Sequence, residues 1–303
     1  MKLKKIILFI RNFLLFYGII KEPPLNKQRM KNIYVGSYKL LANKYHSLDT
    51  NLEKHKFYSR NLSRLVSYVN SKYKNHIILD VGANIGDSVA LIRSNDVSNK
   101  IICIEPYEYY FELLKENTRN IKDVEIYNIF LSDSDNKRID LRFDNGTAKP
   151  SLKNDDQKGD VKVYNLDSFI NINNIQGVKF LKIDTDGFDF KIIKNGLDFV
   201  KKNKPILFLE YDAELLKEND ENYLSLFESL KIIGYQKIIY YDNYGKMLCS
   251  VDMEYQDLIN DLHGYIDNYS GAFRYYDICI IHKDDIDLFD HIIKNERSFF
   301  KDN

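Results

Sequence analysis

The residues best placed to do chemistry begin with the stretch His76–Ser88, HIILDVGANIGDS. Its apolar run Ile77–Ile78–Leu79 ends in Asp80. Gly82, Ala83, Asn84 and Gly86 follow, then an amphipathic helical pattern from Ser88 to Arg93. Strand, glycine turn and helix in that order make the first βα unit of a nucleotide-binding sheet. Gly82 permits a sharp turn and lets a ligand approach with no Cβ in the way. Gly86 lets the new helix pack close to the strand, and the helix start offers free N–H groups to an anionic group. The spacing is D-x-G-x-x-x-G, not the G-x-G-x-x-G that a dinucleotide pyrophosphate wants. The looser turn suits a ligand with a carboxylate and a ribose but no phosphate. Nineteen residues after Gly86, the run Ile101–Ile102–Cys103–Ile104 ends in Glu105. An acid at the tip of the second strand, about 20 residues beyond the glycine turn, is where ribose hydroxyls are bound. The plainer alternative is two buried strands that merely end in turns.

Three more carboxylates close later runs. Val178–Ile183 leads into Asp184–Thr185–Asp186–Gly187, and Ile206–Glu210 ends on its own acid. In a doubly wound sheet, ligands bind beyond the C-terminal strand ends where strand order reverses. Asp184 and Asp186 are therefore expected in that cleft, with Glu210 one strand further along. Crowded carboxylates raise one another's pKa and can hold a shared proton, which fits a general base. The same oxygens could instead hold a hard cation such as Mg²⁺. Asp186 has a second reading as a helix cap. His263 and His282 are further candidate bases, against a structural reading as satisfied residues.

Taken together, Asp80–Gly86, Glu105–Pro106, Leu166–Asp167–Ser168–Phe169 and Lys182–Ile183–Asp184–Thr185–Asp186–Gly187 resemble the FkbM-type methyltransferases, over roughly residues 70 to 285. The resemblance implies an α/β fold with a doubly wound, mostly parallel, seven-stranded Rossmann-like sheet. It also implies an S-adenosylmethionine-dependent enzyme that O-methylates a glycan, glycolipid or related hydroxyl. The cofactor would then be held by Asp80, Gly82, Asn84, Gly86, Glu105 and Pro106. Ser132 and Asp133 would stand at the adenine edge, because the loop after strand three borders the adenine in this fold class; a simple turn is the alternative. Asp184, Asp186 and Glu210 would carry catalysis, with Asp184 or Asp186 favoured as base, and with a divalent cation as an optional companion. Asp186 stands where Glu is also common in the family, and the first 70 residues fall outside the match.

The elements that position these groups are read from periodicity. Residues 1–27 pair Lys2, Lys4 and Lys5 with an apolar stretch from Ile6 to Ile20. That is short of a bilayer-spanning helix and lacks a signal cleavage site. It reads as a basic helix on the inner membrane face, through residues 1–20, or equally as one packed on the domain or a partner. Residues 28–74 read as a helical cap in which Tyr45, His46, His55 and Tyr58 face a cleft or serve as lid packing. Residues 75–303 read as the catalytic domain. Its strands are Ile77–Val81, Lys100–Glu105, Val124–Leu131, Val178–Ile183, Ile206–Glu210, one after Gly234 and one in Ala272–Ile281. Residues 144–160 read as a mobile loop, 242–264 as a polar loop with a short helix, and Asp167 as an N-cap.

The chain carries 44 basic and 44 acidic side chains, which argues against nucleic acid as a general partner. Cys103, Cys249 and Cys279 lack metal-ligand spacing and read as free thiols of a reducing, cytoplasmic compartment. Two competing functions stay open: a glycosyltransferase using Asp184–Thr185–Asp186 as a metal-binding D-x-D, and a non-catalytic binding module. Self-association as a homo-oligomer is also left open.

Overall fold

A computed structural model describes residues 29–135, 137–139, 141–144, 147–150, 161–219, 222–269 and 271–302. The expected basic N-terminal helix lies outside these residues. The described chain opens with an antiparallel hairpin, β1 (Met30–Val35) and β2 (Tyr38–Asn43), then helices α1 (Leu48–Lys54) and α2 (Arg60–Lys72). The hairpin corrects the all-helical reading of this region. Its alternation Ile33, Val35, Leu40, Ala42 buries one face against the first βα unit, a pattern too short to stand out among polar neighbours.

The central sheet is built from β3 (Ile77–Val81), β4 (Ile101–Ile104), β5 (Val124–Tyr127), β11 (Val178–Ile183), β12 (Ile206–Tyr211), β13 (Tyr235–Asp242), β14 (Met247–Asp252) and β15 (Tyr276–His282). Their spatial order is β14-β13-β15-β12-β11-β3-β4-β5. β5, β4, β3, β11 and β12 run parallel, and β15 is antiparallel to both of its neighbours. The sheet thus has eight strands where seven were expected. The extra one, β14, is a hairpin return from β13 at the sheet edge, within the stretch read as a polar loop. An edge strand with only Val251 fully covered lacks the continuous apolar run of a central strand.

The strand expected over Val124–Leu131 breaks at Asn128. Its second half, β6 (Ile129–Leu131), leaves the main sheet to pair in parallel with β10 (Val161–Tyr164), which also pairs with β7 (Lys137–Ile139). The Asn128 side chain donates to the carbonyls of Glu105 (3.0 Å) and Pro106 (3.1 Å) and pins the break beside β4. Within the stretch read as a mobile loop, β9 (Thr147–Pro150) pairs with β8 (Leu141–Asp144).

Helices α3 (Asp87–Arg93), α4 (Glu108–Thr118), α5 (Leu166–Ile172), α6 (Asp189–Lys194), α7 (Leu197–Asn203), α8 (Ala213–Glu218), α9 (Tyr223–Ile232), α10 (Gln256–Ile266) and α11 (Ile286–Asp302) complete the fold. Two apolar layers cover the sheet. One holds Leu79, Val81, Leu181, Ile183, Leu207 and Leu209; the other holds Ile78, Ile101, Cys103, Phe180, Phe208 and Cys279. Successive residues of each central strand face opposite layers, as burial on both faces of a parallel sheet requires. The cap of α5 is Asn165, whose side chain accepts from the Ser168 N–H. Asp167 instead accepts from the Phe199 N–H (2.7 Å), tying α5 to α7.

Candidate active site

The site forms where the order of the parallel strands reverses, between β3 and β11. Val81 ends β3, and Gly82 (φ +80°) and Ala83 donate their N–H groups to the Ile104 carbonyl at 2.9 and 3.0 Å. On the other side the Asp184 N–H donates to the Val81 carbonyl at 3.1 Å. The turn is clamped between two strands, and a Cβ on Gly82 would lie 1.9 Å from the Asp184 carbonyl oxygen. Gly86 (φ +88°) starts α3, and a Cβ there would meet Leu114 and Thr118 of α4 at 3.1 and 3.3 Å.

A cavity open to solvent lies over these strand ends. Gly82, Asn84, Glu105, Pro106, Asp184 and Asp186 line it, so six of the residues singled out in the sequence meet there. Its apolar walls are Ile104, Tyr110, Ile129, Phe130, Leu131 and Ile192. The break in the third strand, which sequence reading missed, is what swings β6 into that wall.

Glu105 is 5% exposed, and its two oxygens accept from the N–H groups of Asn84 and Tyr107, each at 2.9 Å. Burial pushes its carboxyl up to about 7, against the pull of these two donors. Asn84 itself sits at φ +48°, a left-handed conformation that Asn tolerates.

Asp80 and Gly86 support the turn from behind and are not part of the cavity wall. Asp80 is fully buried; it accepts from the Ser88 hydroxyl and from Lys182 Nζ at 3.0 Å. The Lys182 ammonium also reaches the Gly82 carbonyl (3.1 Å) and Asp184 Oδ2 (3.5 Å). Burial alone would lower the lysine's pKa, but Asp80 and Asp184 outweigh it and hold the group charged. Ser132 and Asp133 stand just past the wall residue Leu131. The Ser132 N–H is committed to the Tyr164 carbonyl, and Asp133 lies exposed, 3.9 Å from Lys191.

The acidic side is organised by a residue not singled out in the sequence. Asp189, 1% exposed, accepts from the Thr185 N–H (3.1 Å) and hydroxyl (2.6 Å) through one oxygen, and from the Glu210 N–H (3.2 Å) through the other. It ties the loop after β11 to β12, and burial raises its carboxyl to about 7. The N-cap position of α6 is Phe188, two residues beyond Asp186.

Glu210 lies outside the cavity wall. It faces Asp277 of β15 directly across the antiparallel pair, and the register of β11 with β12 sets Asp184 beside it. Directly opposed residues project to one face, so the ends of three strands carry a row of carboxyl groups. Glu210 Oε2 is buried without a hydrogen-bond partner. Burial, then Asp184, Asp186, Asp189 and Asp212, push its pKa well up. Asp277 accepts from Asn61 Nδ2 of α2 at 2.8 Å, and burial lifts it to about 7. A lone Asp before an apolar run carried no local sign of this, because its partners are remote in sequence.

Among the described residues, no group of three or more His, Cys, Asp or Glu is arranged to hold a metal ion, so the cation reading of Asp184, Asp186 and Glu210 finds no ligand set. His263 accepts from or donates to the Tyr211 hydroxyl (2.8 Å) and stacks on Tyr223, while His282 is 1% exposed and bonded to Ile233 and Asp284. Both are structural. In the cap, His55 stacks on Tyr244 and Tyr45 is exposed.

A parallel sheet reversing at β3 and β11, with one antiparallel strand inserted next to β12, is the fold of the class I methyltransferases. Residues 80–237, just over half of the chain, match the methyltransferase FkbM domain, and the chain belongs to that family of S-adenosylmethionine-dependent methyltransferases. Among solved structures it is similar to an FkbM methyltransferase from Methylobacillus flagellatus KT, with 19% identity over 63% of this chain and 47% of that one and a TM-score of 0.39. The chain thus spans about half the length of that protein. It is also similar to TYW2 of M. jannaschii in complex with AdoMet (11% identity, 87% and 89% covered, TM-score 0.39). A third similar structure is an O-methyltransferase from Bacillus cereus in complex with SAH (11%, 78% and 88%, 0.38). No curated protein matches the chain.

Proposed function

We propose that this chain transfers a methyl group from S-adenosylmethionine to a hydroxyl of a glycan, glycolipid or related metabolite. The observation that carries the reading is the cavity at the strand reversal, with the buried Glu105 carboxyl at its floor and apolar walls on either side. These residues fit the cofactor. Glu105 suits a ribose diol, and Ile104, Pro106, Phe130 and Leu131 suit the faces of a planar base. The cofactor supplies an electrophilic methyl on a sulfonium. The chain's own task is to hold an acceptor oxygen in line with it and to take the hydroxyl proton. Asp184 is the base in this reading: its side chain is half exposed, it lines the cavity, and Lys182 orients its Oδ2. Glu210, outside the cavity wall, adds to the row of carboxyl groups beside Asp184 and does not face the acceptor in this reading.

The cytoplasm, with contact at the inner membrane face through residues 1–20, is the proposed setting. No described helix is long and apolar enough to cross a membrane. A glycosyltransferase reading would need the Asp184–Thr185–Asp186 carboxylates to gather round a metal, and no such cluster forms among the described residues.

The test is transfer of labelled methyl from S-adenosylmethionine to a pool of polysaccharide and glycolipid, scored for alkali-stable label. An ether survives alkali whereas a methyl ester does not. Transfer by the wild type, reduced at least about a hundredfold in Asp184→Asn as for loss of a general base, is expected. Cofactor binding with no alkali-stable product in any hydroxyl-bearing pool would rule the O-methyl assignment out.

Glu105 makes the cofactor step pH-dependent. Ribose hydroxyls donate to the ionised carboxylate, which is about one-tenth populated at pH 6 and nine-tenths at pH 8 for a group near 7. Cofactor affinity measured by calorimetry should therefore rise about tenfold from pH 6 to pH 8 and stay flat in Glu105→Gln. For stability the sign is opposite. A carboxyl raised in the folded state contributes below its unfolded pKa, and that contribution is lost as pH rises through about 7.

A further inference from the structure

His46 lies in the cap, outside the family-matched residues, yet its ring touches Asn84 and Tyr110, two residues that line the cavity. His46 Nε2 stands 3.3 Å from Asn84 Oδ1. The other ring nitrogen, Nδ1, receives the Leu48 N–H at 3.3 Å. A backbone N–H can only donate, so Nδ1 presents its lone pair and the neutral ring carries its proton on Nε2. The His46–Asn84 bond therefore runs from ring N–H to carboxamide oxygen. That choice of direction also settles which way the Asn84 carboxamide is turned, with its oxygen toward the cap and its NH₂ away from it.

The His46 backbone is itself held. Lys31 Nζ donates to the His46 carbonyl and to Asp49 Oδ2, both at 2.6 Å, and the His46 N–H bonds the Asn43 carbonyl. Tyr110, a cavity-wall residue 5% exposed, meets the ring edge-on at 6.1 Å between centroids. Asn84 is fixed from its other side by its own N–H on Glu105 Oε2. No bond of Asn84 Nδ2 is found among the described residues. We infer that His46 is a positioning residue of the cofactor site: it holds the Asn84 carboxamide so that its NH₂ donates into the cavity beside the Glu105 acceptor. A donor next to an acceptor is what a hydroxyl-bearing nucleoside needs, since each hydroxyl both gives and takes a hydrogen bond. Without His46 the carboxamide can rotate or present its oxygen to the ligand.

The inference rests on the cofactor reading above. It is tested on the full chain by calorimetric titration with S-adenosylhomocysteine for the wild type, His46→Ala, His46→Gln, Asn84→Ala and the double variant His46→Ala/Asn84→Ala, each with a thermal melt. Loss of one oriented hydrogen bond should weaken binding by about fivefold to tenfold in His46→Ala. His46→Gln, whose amide can place an N–H near the Nε2 position, should restore most of the affinity. The double variant should bind no worse than the weaker single variant, because both changes remove the same bond. A residue that merely stabilises the cap would lower the melting temperature and leave the losses additive, and additivity or unchanged affinity in His46→Ala overturns the assignment alone. Absence of binding by the wild type overturns the cofactor reading and this assignment with it.

Discussion

Gly82→Ala is expected to abolish cofactor binding, with at least a hundredfold loss of affinity, while the chain still folds at reduced stability. The new Cβ would sit 1.9 Å from the Asp184 carbonyl oxygen, 2.9 Å from its carbonyl carbon and 3.3 Å from Thr185 Cγ2. The nearest two are backbone atoms, so no side chain can swing aside. The residue would also have to hold φ +80°, which costs an L-residue about 1–2 kcal/mol. Added to overpacking of a further 1–3 kcal/mol, the expected destabilisation is about 2–5 kcal/mol. The clash falls where the turn after β3 meets the loop after β11. Relief must come from separating them, which displaces Asn84 on one side and Asp184 on the other. Displacements near 1 Å cost about a hundredfold where geometry carries the work. Gly264→Ala in α10 is the control. Nothing lies within 4 Å of a Cβ there, and a helical alanine should be neutral or stabilising by up to about 1 kcal/mol. Calorimetry and thermal melts of the two variants side by side check the prediction; near-normal binding by Gly82→Ala would mean the turn is not clamped as described.

Lys182→Met should be the most destabilising single change at the site, by about 3–5 kcal/mol, or roughly 10 °C in melting temperature. Met has similar bulk, so the effect isolates the charge. The ammonium lies 3.0 Å from Asp80, whose side chain is 1% exposed, and its loss leaves a buried carboxylate with the Ser88 hydroxyl as its remaining side-chain donor. It also frees the Gly82 carbonyl and Asp184 Oδ2, so cofactor and acceptor sides loosen together. Adding Asp80→Asn removes the orphaned charge and should recover about half of the lost stability, because breaking a buried pair costs more than deleting both charges. If Lys182→Met melts within about 2 °C of the wild type, the pair does not hold the turn.

The features legible without a structure share one property: their cause is local. Ile77–Leu79, Ile101–Ile104, Val178–Ile183 and Ile206–Leu209 read as strands because parallel strands covered on both faces must be apolar throughout. The glycine turn, Glu105 at the second strand tip and the acids after β11 follow from spacing alone, and the structure brings Gly82, Asn84, Glu105, Pro106, Asp184 and Asp186 to one cavity. What could not be read depends on partners far along the chain. Asp80 waits 102 residues for Lys182, and Asp277 waits 216 for Asn61. The break at Asn128 depends on carbonyls of the neighbouring strand, and β14 on the edge it joins. For His46 the sequence leaves a cleft-facing role and lid packing both open, and the hairpin and α1 are what bring its ring to Asn84.

The sequence by itself therefore determined the parallel core, the glycine turn and the acids at the strand tips, since backbone conformation and burial are written in runs of neighbouring residues. Only the tertiary structure decided which acids face the cavity, which one sits buried against Lys182, and which side chains the cap lends to the site. Hydrogen bonding, burial and charge pairing depend on distance in space, and a linear order leaves that distance open.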